Sequence, residues 1–380
     1  MFLRICTSNF ATLIFNMLYR TIGLMSGSSL DGLDIVFAEF YENGGNWNFE
    51  IKVADCYEYS AQWKERLQNA TSLSALDYQL LHTDYGHYLG KEINRFVDEH
   101  NLHYQVGLIA SHGHTSFHIP SKKMTAQLGD GAAIAAETKL PVVSDLRALD
   151  VAFGGQGAPI VPIGEKLLMK DYAMFLNLGG IANISFNHPD KYIAFDVCPA
   201  NRVMNLIAAL ENKEYDAGGQ MAASGSVNNQ LLNRLNAFEY YQQPFPKSLA
   251  NDFGTEEIFP LLKSTGLANS DLLRTYVEHI VQQIKFAIGD NYKPHAANHK
   301  LLVTGGGAFN NFLIETLAEA LSSINVKVVV PEENLVKYKE ALIMAFIGVL
   351  RWRQEYNVLS SVTGAERDSI GGAVWIGQEA

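Results

Sequence analysis

The sequence predicts an α/β protein built from two similar halves with a crevice between them. Three observations carry that prediction: chain length, apolar runs alternating with helical stretches, and a strand–glycine turn–strand grammar that occurs twice. At 380 residues the chain exceeds what one core ordinarily supports, so two domains are expected. Buried-strand runs such as VGLIASHG and PVVSDL alternate with helical patterning, as over residues 75–99, which is how an α/β sheet reads. The opening RTIGLMS, GSSLDG, LDIVFAEF is strand, Gly/Ser turn, strand. YAMFLNLGGIANISF and KYIAFDVCPAN repeat it, the last strand ending at Asp196. A chance likeness of two glycine turns is the plain alternative to a duplicated hairpin.

The remaining elements follow in order. A second hairpin is expected near Glu50–Tyr59, and a helix over Ala75–Glu99. SHGHT follows a buried strand and is expected to be a loop. KLLVTGGGAFNNFLIETLAEAL reads as a strand, a triple-glycine turn and a helix; KVVVPEE is a strand, KEALIMAFIGVLRWR an apolar-rich helix, and SVTGAERDSIGGAVWIG a short glycine-containing helical end. No linker, low-complexity tract or charge run interrupts them.

Composition removes several function classes. Hydrophobic residues at 48% with 18% charged exclude a disordered chain. The net charge of −11 argues against a general nucleic-acid surface, although backbone donors bind phosphate inside acidic proteins. Cys6, Cys56 and Cys198 are widely spaced without a CxxC pair, so neither a zinc site nor a disulfide framework is expected, and a reducing, cytoplasmic setting is. No stretch approaches ~18 uninterrupted apolar residues, so no membrane span is expected. The start, MFLRICTSNFATLIFN, lacks the clean apolar run and cleavage site of a signal peptide. Residues 1–16 read as an upstream extension or misplaced start, outside the fold.

Chemistry concentrates in the turns. In GLMSGSSLDGLD a Gly/Ser turn lets several N–H groups converge on one anion. Ser26, Ser28 and Ser29 add hydroxyl donors, and Asp31 and Asp34 stand where magnesium beside phosphates would be held. A plain Asp-Gly hairpin is the alternative. Neither GxxxxGK[ST] nor GxGxxG leading into a helix with an acid ~20 residues on is present. TGGGAFN (304–310) suits close backbone approach to a planar or phosphorylated group, or tight strand–helix packing. Asp196 is placed as a general base at a strand's end, or as an N-cap of the next helix. Glu340 reads as a site acid or as a first-turn acid favoured by the helix dipole. His112, His114 and His118 suggest either a metal cluster or polar contacts to a hydroxylated ligand. Cys198 reads as a packed thiol.

From about Ile22 to Trp375 these segments resemble the anhydro-N-acetylmuramic acid kinase family, a branch of the superfamily that holds actin, hexokinase and the heat-shock ATPases. The specific pieces are GLMSGSSLDGLD, SHGHT, QLGDGAAIA, DVAFGGQGAPIVP, LNLGGIANIS and TGGGAFNN, with KEALIMAF and SVTGA later. The resemblance implies a two-lobed actin/hexokinase-like (ribonuclease H-like) α/β fold, each lobe a mixed sheet flanked by helices, with the active site in the interdomain cleft. Domain I would take 17–166 and 367–380, and domain II 167–366. It further implies ATP and Mg²⁺, with Gly27, Ser28, Ser29, Leu30, Asp31, Gly32, Leu33 and Asp34 as the first phosphate loop. Gly179 and Gly180 would form the second phosphate turn, and Gly305, Gly306 and Gly307 would border the adenosine. Asp196 matches the catalytic aspartate and Glu340 a glutamate near the active site. His112, His114, Asp145, Arg147 and Asn201 become sugar-facing candidates, Arg147 as a cation for a lactyl carboxylate.

The implied chemistry is opening of a 1,6-anhydro bridge by Asp196-activated water and phosphorylation of O6 by Mg-ATP. A homodimer is common in the family, though no segment marks an interface. Departures gather near the sugar: the usual Thr-Gly-Pro-Gly after the aspartate reads Val197, Cys198, Pro199, Ala200, keeping only the Pro, Asn205 replaces an acid, and His114 and Gly131 replace Gln and Pro. The pattern after Ser248 is lost. A same-fold kinase for another sugar, such as levoglucosan or an amino sugar, and a non-catalytic ATP-binding, chaperone-like module are the alternatives.

Overall fold

Glycine turns join the leading strands of two mixed sheets. The computed structural model describes residues 17–378 apart from 28–29, 189–191, 246, 251 and 292–298; residues 1–16 lie outside the described residues. The first sheet comprises β1 (Met17–Ser26), β2 (Gly32–Asn43), β3 (Asn46–Glu58), β4 (Leu108–Ile119), β5 (Met124–Leu128), β6 (Val142–Ser144) and β12 (Ala373–Trp375). Its order is β12-β6-β4-β1-β2-β3, with β5 alongside β4. The second comprises β7 (Met174–Leu178), β8 (Ile181–Asn187), β9 (Tyr192–Pro199), β10 (His299–Thr304) and β11 (Val326–Val329), in the order β11-β10-β7-β8-β9.

The expected duplication is a duplication of topology. In each sheet three antiparallel strands lead, β1–β3 and β7–β9, and the next strand lies parallel against the first, β4 on β1 and β10 on β7. Parallel strands buried on both faces need continuous apolar runs, and Leu301, Leu302 and Val303 of β10 are fully buried.

Helices cover the sheets for legible reasons. The helix Ala75–Glu99 starts where the Ser74 side chain accepts from the Asp77 amide. Leu81, Tyr85, Leu89, Ile93 and Phe96 then bury one stripe into the core of the first sheet. The helix Glu333–Trp352 is different: every residue from Ala341 to Leu350 is buried, as expected of a helix enclosed on all sides. The core around it draws Phe40 and Ala110 from the first sheet and Phe175 and Leu302 from the second, so this helix joins the two halves.

That junction depends on Gly23. A Cβ there would stand 2.1 Å from the Ala341 carbonyl oxygen and 2.7 Å from the Ala345 amide nitrogen. Both neighbours are backbone, so strand and helix would have to separate. Gly23→Ala is expected to lower unfolding free energy by about 3 kcal/mol, read as a drop in urea midpoint at unchanged m; a midpoint equal to the parent's would refute the close approach.

One expectation is corrected. SHGHT is not a loop but lies inside β4, because β5 extends the ladder by pairing His114 with Leu128 and Ile119 with Met124. The partner strand lies beyond the intervening turn and leaves no mark on the pentapeptide itself.

Candidate active site

A cleft of about 700 Å³ opens where the two leading turns meet. Met25 lines it from the end of β1, Gly27 and Asp31 from the β1–β2 connection, and Gly180 from the β7–β8 turn. Asn201, Arg202, Asn205 and Leu206 line it from the helix Asn201–Ala209, and Glu340 from the helix Glu333–Trp352.

In the first turn the Leu30 amide donates to the Gly27 carbonyl at 3.4 Å and Leu30 takes φ of 57°. Ser28 and Ser29 lie outside the described residues. Gly32 and Leu33 already belong to β2, and their roles there are structural. A Cβ on Gly32 would meet the Cys56 sulfur at 2.6 Å, and Leu33 is a core residue. Asp34 sits opposite Met25 on β1 and Cys56 on β3. Burial pushes its carboxyl up to about 6; a hydrogen bond from the Cys56 thiol opposes this, and the charges of Glu340 and Asp31 add to it. Asp34 therefore feels both other carboxylates. Among the described residues no group of three His, Cys, Asp or Glu side chains converges as a cation cage. Magnesium taken up with phosphates requires only one or two carboxylates and keeps several waters, and Asp31 with Asp34 fits that demand.

The second turn is clamped to a helix start. Ala200 and Arg202 amides donate to the Gly180 carbonyl at 2.8 and 3.4 Å, and the Asn201 amide to that of Gly179 at 3.0 Å. A Cβ on Gly179 or Gly180 would meet nothing nearer than 3.5 Å. Protein packing thus does not require glycine at either position. Gly305 differs: at φ of 82° its Cβ would fall 2.4 Å from Asn177 Oδ1. Gly307 packs on Leu178, while a Cβ on Gly306 would make an ordinary contact with Asn201 Nδ2 at 3.5 Å. Asn201 Nδ2 donates to the Leu178 carbonyl at 2.9 Å, so the triple-glycine turn, Asn201 and the second turn form one wall.

Asp196 lies within β9, which runs on to Pro199, and the N-cap of the following helix is Ala200. The capping alternative for Asp196 is thereby excluded. Its Oδ2 accepts from the Leu249 amide at 2.9 Å and from the Ser248 hydroxyl at 3.1 Å, and its backbone carbonyl accepts from the Tyr240 hydroxyl at 2.6 Å. Glu340 is seven residues into its helix, but the backbone breaks at Tyr338 (φ −114°, ψ 16°). It consequently lies in the first turn of the part of the helix that follows the break.

The histidines are engaged by protein groups. His112 is buried, its Nδ1 donating to the Gly113 carbonyl at 2.8 Å and its Nε2 accepting from Arg147 Nε at 2.8 Å. Burial and then the Arg147 charge hold its imidazole down at about 3, so it is neutral. His114 meets Ser26 Oγ at 3.1 Å, and Ser26 accepts from Tyr59, which meets Tyr85 at 2.6 Å. Arg147 also donates to the Gly157 carbonyl at 2.5 Å, and Asp150 fixes the same loop through the Gly157 amide and Thr363. Asp145, at φ of 56°, accepts from Ser144. His112, His114, Asp145 and Arg147 are not among the residues lining the cleft; Asn201 is.

Arg202 and Leu206 are cleft residues that the sequence reading passed over, and Asn205 entered it only as a departure. A signal was present: Val203, Met204, Ile207 and Ala208 form the buried stripe of this helix, which turns Arg202, Asn205 and Leu206 to the other side.

The family model described as anhydro-N-acetylmuramic acid kinase matches residues 19–377. The anhydro-N-acetylmuramic acid kinase of Francisella tularensis subsp. novicida is 34% identical over 93% of this chain and 97% of its own. That of Clostridioides difficile is 32% identical over 93% and 97%. Among solved structures, the activator of the 2-hydroxyisocaproyl-CoA dehydratase from Clostridium difficile with bound ADPNP aligns at a TM-score of 0.40. It shares 12% identity over 88% of this chain and 96% of its own. The Acidaminococcus fermentans (R)-2-hydroxyglutaryl-CoA dehydratase component A gives 0.43, with 13% identity over 87% and 97%. With its two turns facing one cleft and its match running almost end to end, this chain belongs to the anhydro-N-acetylmuramic acid kinase family.

Proposed function

We propose that this chain is an ATP-dependent kinase that hydrolytically opens 1,6-anhydro-N-acetylmuramic acid and phosphorylates O6, yielding N-acetylmuramate 6-phosphate and ADP in the recycling of cell-wall amino sugars. The observation that carries the reading is the meeting of Gly27 and Asp31, Gly180 and Glu340 around one cleft in a chain of this family. ATP would run between the two glycine turns, with Gly305–Gly307 beside the adenosine. We assign the work to domain I (17–166 with 367–380) and domain II (167–366), and propose a cytoplasmic location.

Asp196 is the proposed base. Ser248 and the Leu249 amide hold its Oδ2, which orients the carboxylate and leaves Oδ1 to take a proton from water. That water adds to the anomeric carbon, the C1–O6 bond breaks, and the freed O6 attacks the γ-phosphorus. The electron pair of the broken P–O bond leaves with ADP. Such transfer rests on positioning and charge neutralisation. Magnesium at Asp31 and Asp34 would supply part of that neutralisation when bound.

ADP release on adding the anhydro sugar tests the reading, and solvent oxygen-18 should enter at the anomeric carbon. Phosphorylation without oxygen-18 would favour a kinase for another sugar, for which the changed residues Val197 and Cys198 beside Asp196 give reason.

The acidic limb of kcat/KM for Mg-ATP follows from Asp34. Its carboxyl, raised to about 6, is protonated below that pH and then cannot hold a cation, so kcat/KM should rise as pH climbs through about 6. Removing a repelling charge by Glu340→Gln should shift the limb to lower pH whatever its effect on height. A limb unmoved in the variant would exclude Asp34 as its source.

A further inference from the structure

We propose that Arg202 is a catalytic cation that grips the transferring phosphoryl group, a role that rests on the kinase reading. The cleft has a charge problem. Asp31 and Glu340 line it and Asp34 stands close to both, so a nucleotide triphosphate would enter among carboxylates. Among the described lining residues Arg202 is the sole cation.

Position supports the role as much as charge does. The Arg202 amide is bonded to the Gly180 carbonyl, and the two residues before it are bonded to the same turn, which fixes the root of the side chain. A Cβ on Gly180 would stand 3.7 Å from Arg202 Nε and 3.8 Å from Nη2. The guanidinium therefore flanks Gly180 in the same cleft that Gly27 and Asp31 line. A chain of phosphates spanning the two turns passes beside it. A guanidinium presents a planar fork of donors that matches phosphate oxygens and stays charged throughout. As O6 bonds to phosphorus and the bond to the ADP oxygen breaks, negative charge spreads over the equatorial oxygens. Arg202 stabilises that charge by hydrogen bonding and transfers no proton.

The test compares Arg202→Ala and Arg202→Lys with the parent. Calorimetric titration with Mg-ATP and Mg-ADP, without sugar, is expected to show ATP affinity falling about tenfold in Arg202→Ala and ADP affinity changing less than about threefold. With the anhydro sugar, kcat should fall ~10²-fold at nearly constant sugar KM. Added guanidinium ion should restore part of the loss in Arg202→Ala, and Arg202→Lys should retain intermediate activity. An unchanged ATP-to-ADP affinity ratio, or kcat within threefold of the parent, overturns the proposal. If the parent turns over no anhydro sugar but Arg202→Ala still loses its preference for ATP, the sugar assignment fails and the phosphate role of Arg202 stands.

Discussion

Asp196→Asn is expected to lower sugar-dependent ADP release about 10³-fold, within the range for loss of a general base, while Mg-ATP affinity stays within about threefold. The substitution is nearly isosteric. An amide oxygen can accept from the Ser248 hydroxyl and the Leu249 amide as Oδ2 now does, so the β9 edge and the segment packed on it should hold. What disappears is the capacity to take a proton from water. Ser248→Ala gives a useful contrast, since it removes one of the two donors and should cost activity less than the loss of the base. Turnover of Asp196→Asn equal to that of the parent would sink the assignment of Asp196 as the base.

The leading turns were legible because their chemistry is local. A strand, a glycine turn and a strand follow one another directly between Met17 and Asn43, and Ser74 with Asp77 marks the start of the helix at Ala75. Glycine alone, however, does not reveal its reason. Gly180 would admit a Cβ beside Arg202 without a clash, whereas Gly32 is demanded by the Cys56 sulfur and Gly305 by Asn177 and a positive φ. These residues look alike in sequence, and only the neighbours separate ligand approach from packing. His112 and His114 were unreadable for a related reason. Their partners, Arg147 and Ser26, are 35 and 88 residues away, and a polar side chain gives no local sign of being satisfied inside the protein. Arg202 was hidden differently, since its helix reads clearly but which face meets the cleft depends on how β7 and β8 deliver the glycine turn.

Lys339→Met is expected to lower unfolding free energy by about 3–5 kcal/mol. Lys339 Nζ lies 2.9 Å from Glu165 Oε1, with the two side chains 6% and 4% exposed. The other carboxylate oxygen, Oε2, accepts from Ser185 at 2.8 Å and Tyr192 at 2.5 Å. Four elements meet in this group: the helix Pro162–Leu168, β8, β9 and the helix Glu333–Trp352. Methionine replaces the length of lysine but not its charge, leaving Glu165 with two hydroxyl donors and no counter-charge in a dry setting. The cost comes from that stranded carboxylate and not from a large intrinsic worth of the pair. Glu165→Gln combined with Lys339→Met removes both charges and should recover most of the loss, giving a coupling energy of the sign that adjacent buried partners produce. Urea unfolding with unchanged m measures each variant. If the single variant is as stable as the parent, or the double variant is no better than the single, the buried pair does not hold this junction. The expected pattern would instead mean that Glu340, the next residue along the helix, is carried into the cleft on a segment anchored by charge to the helix Pro162–Leu168.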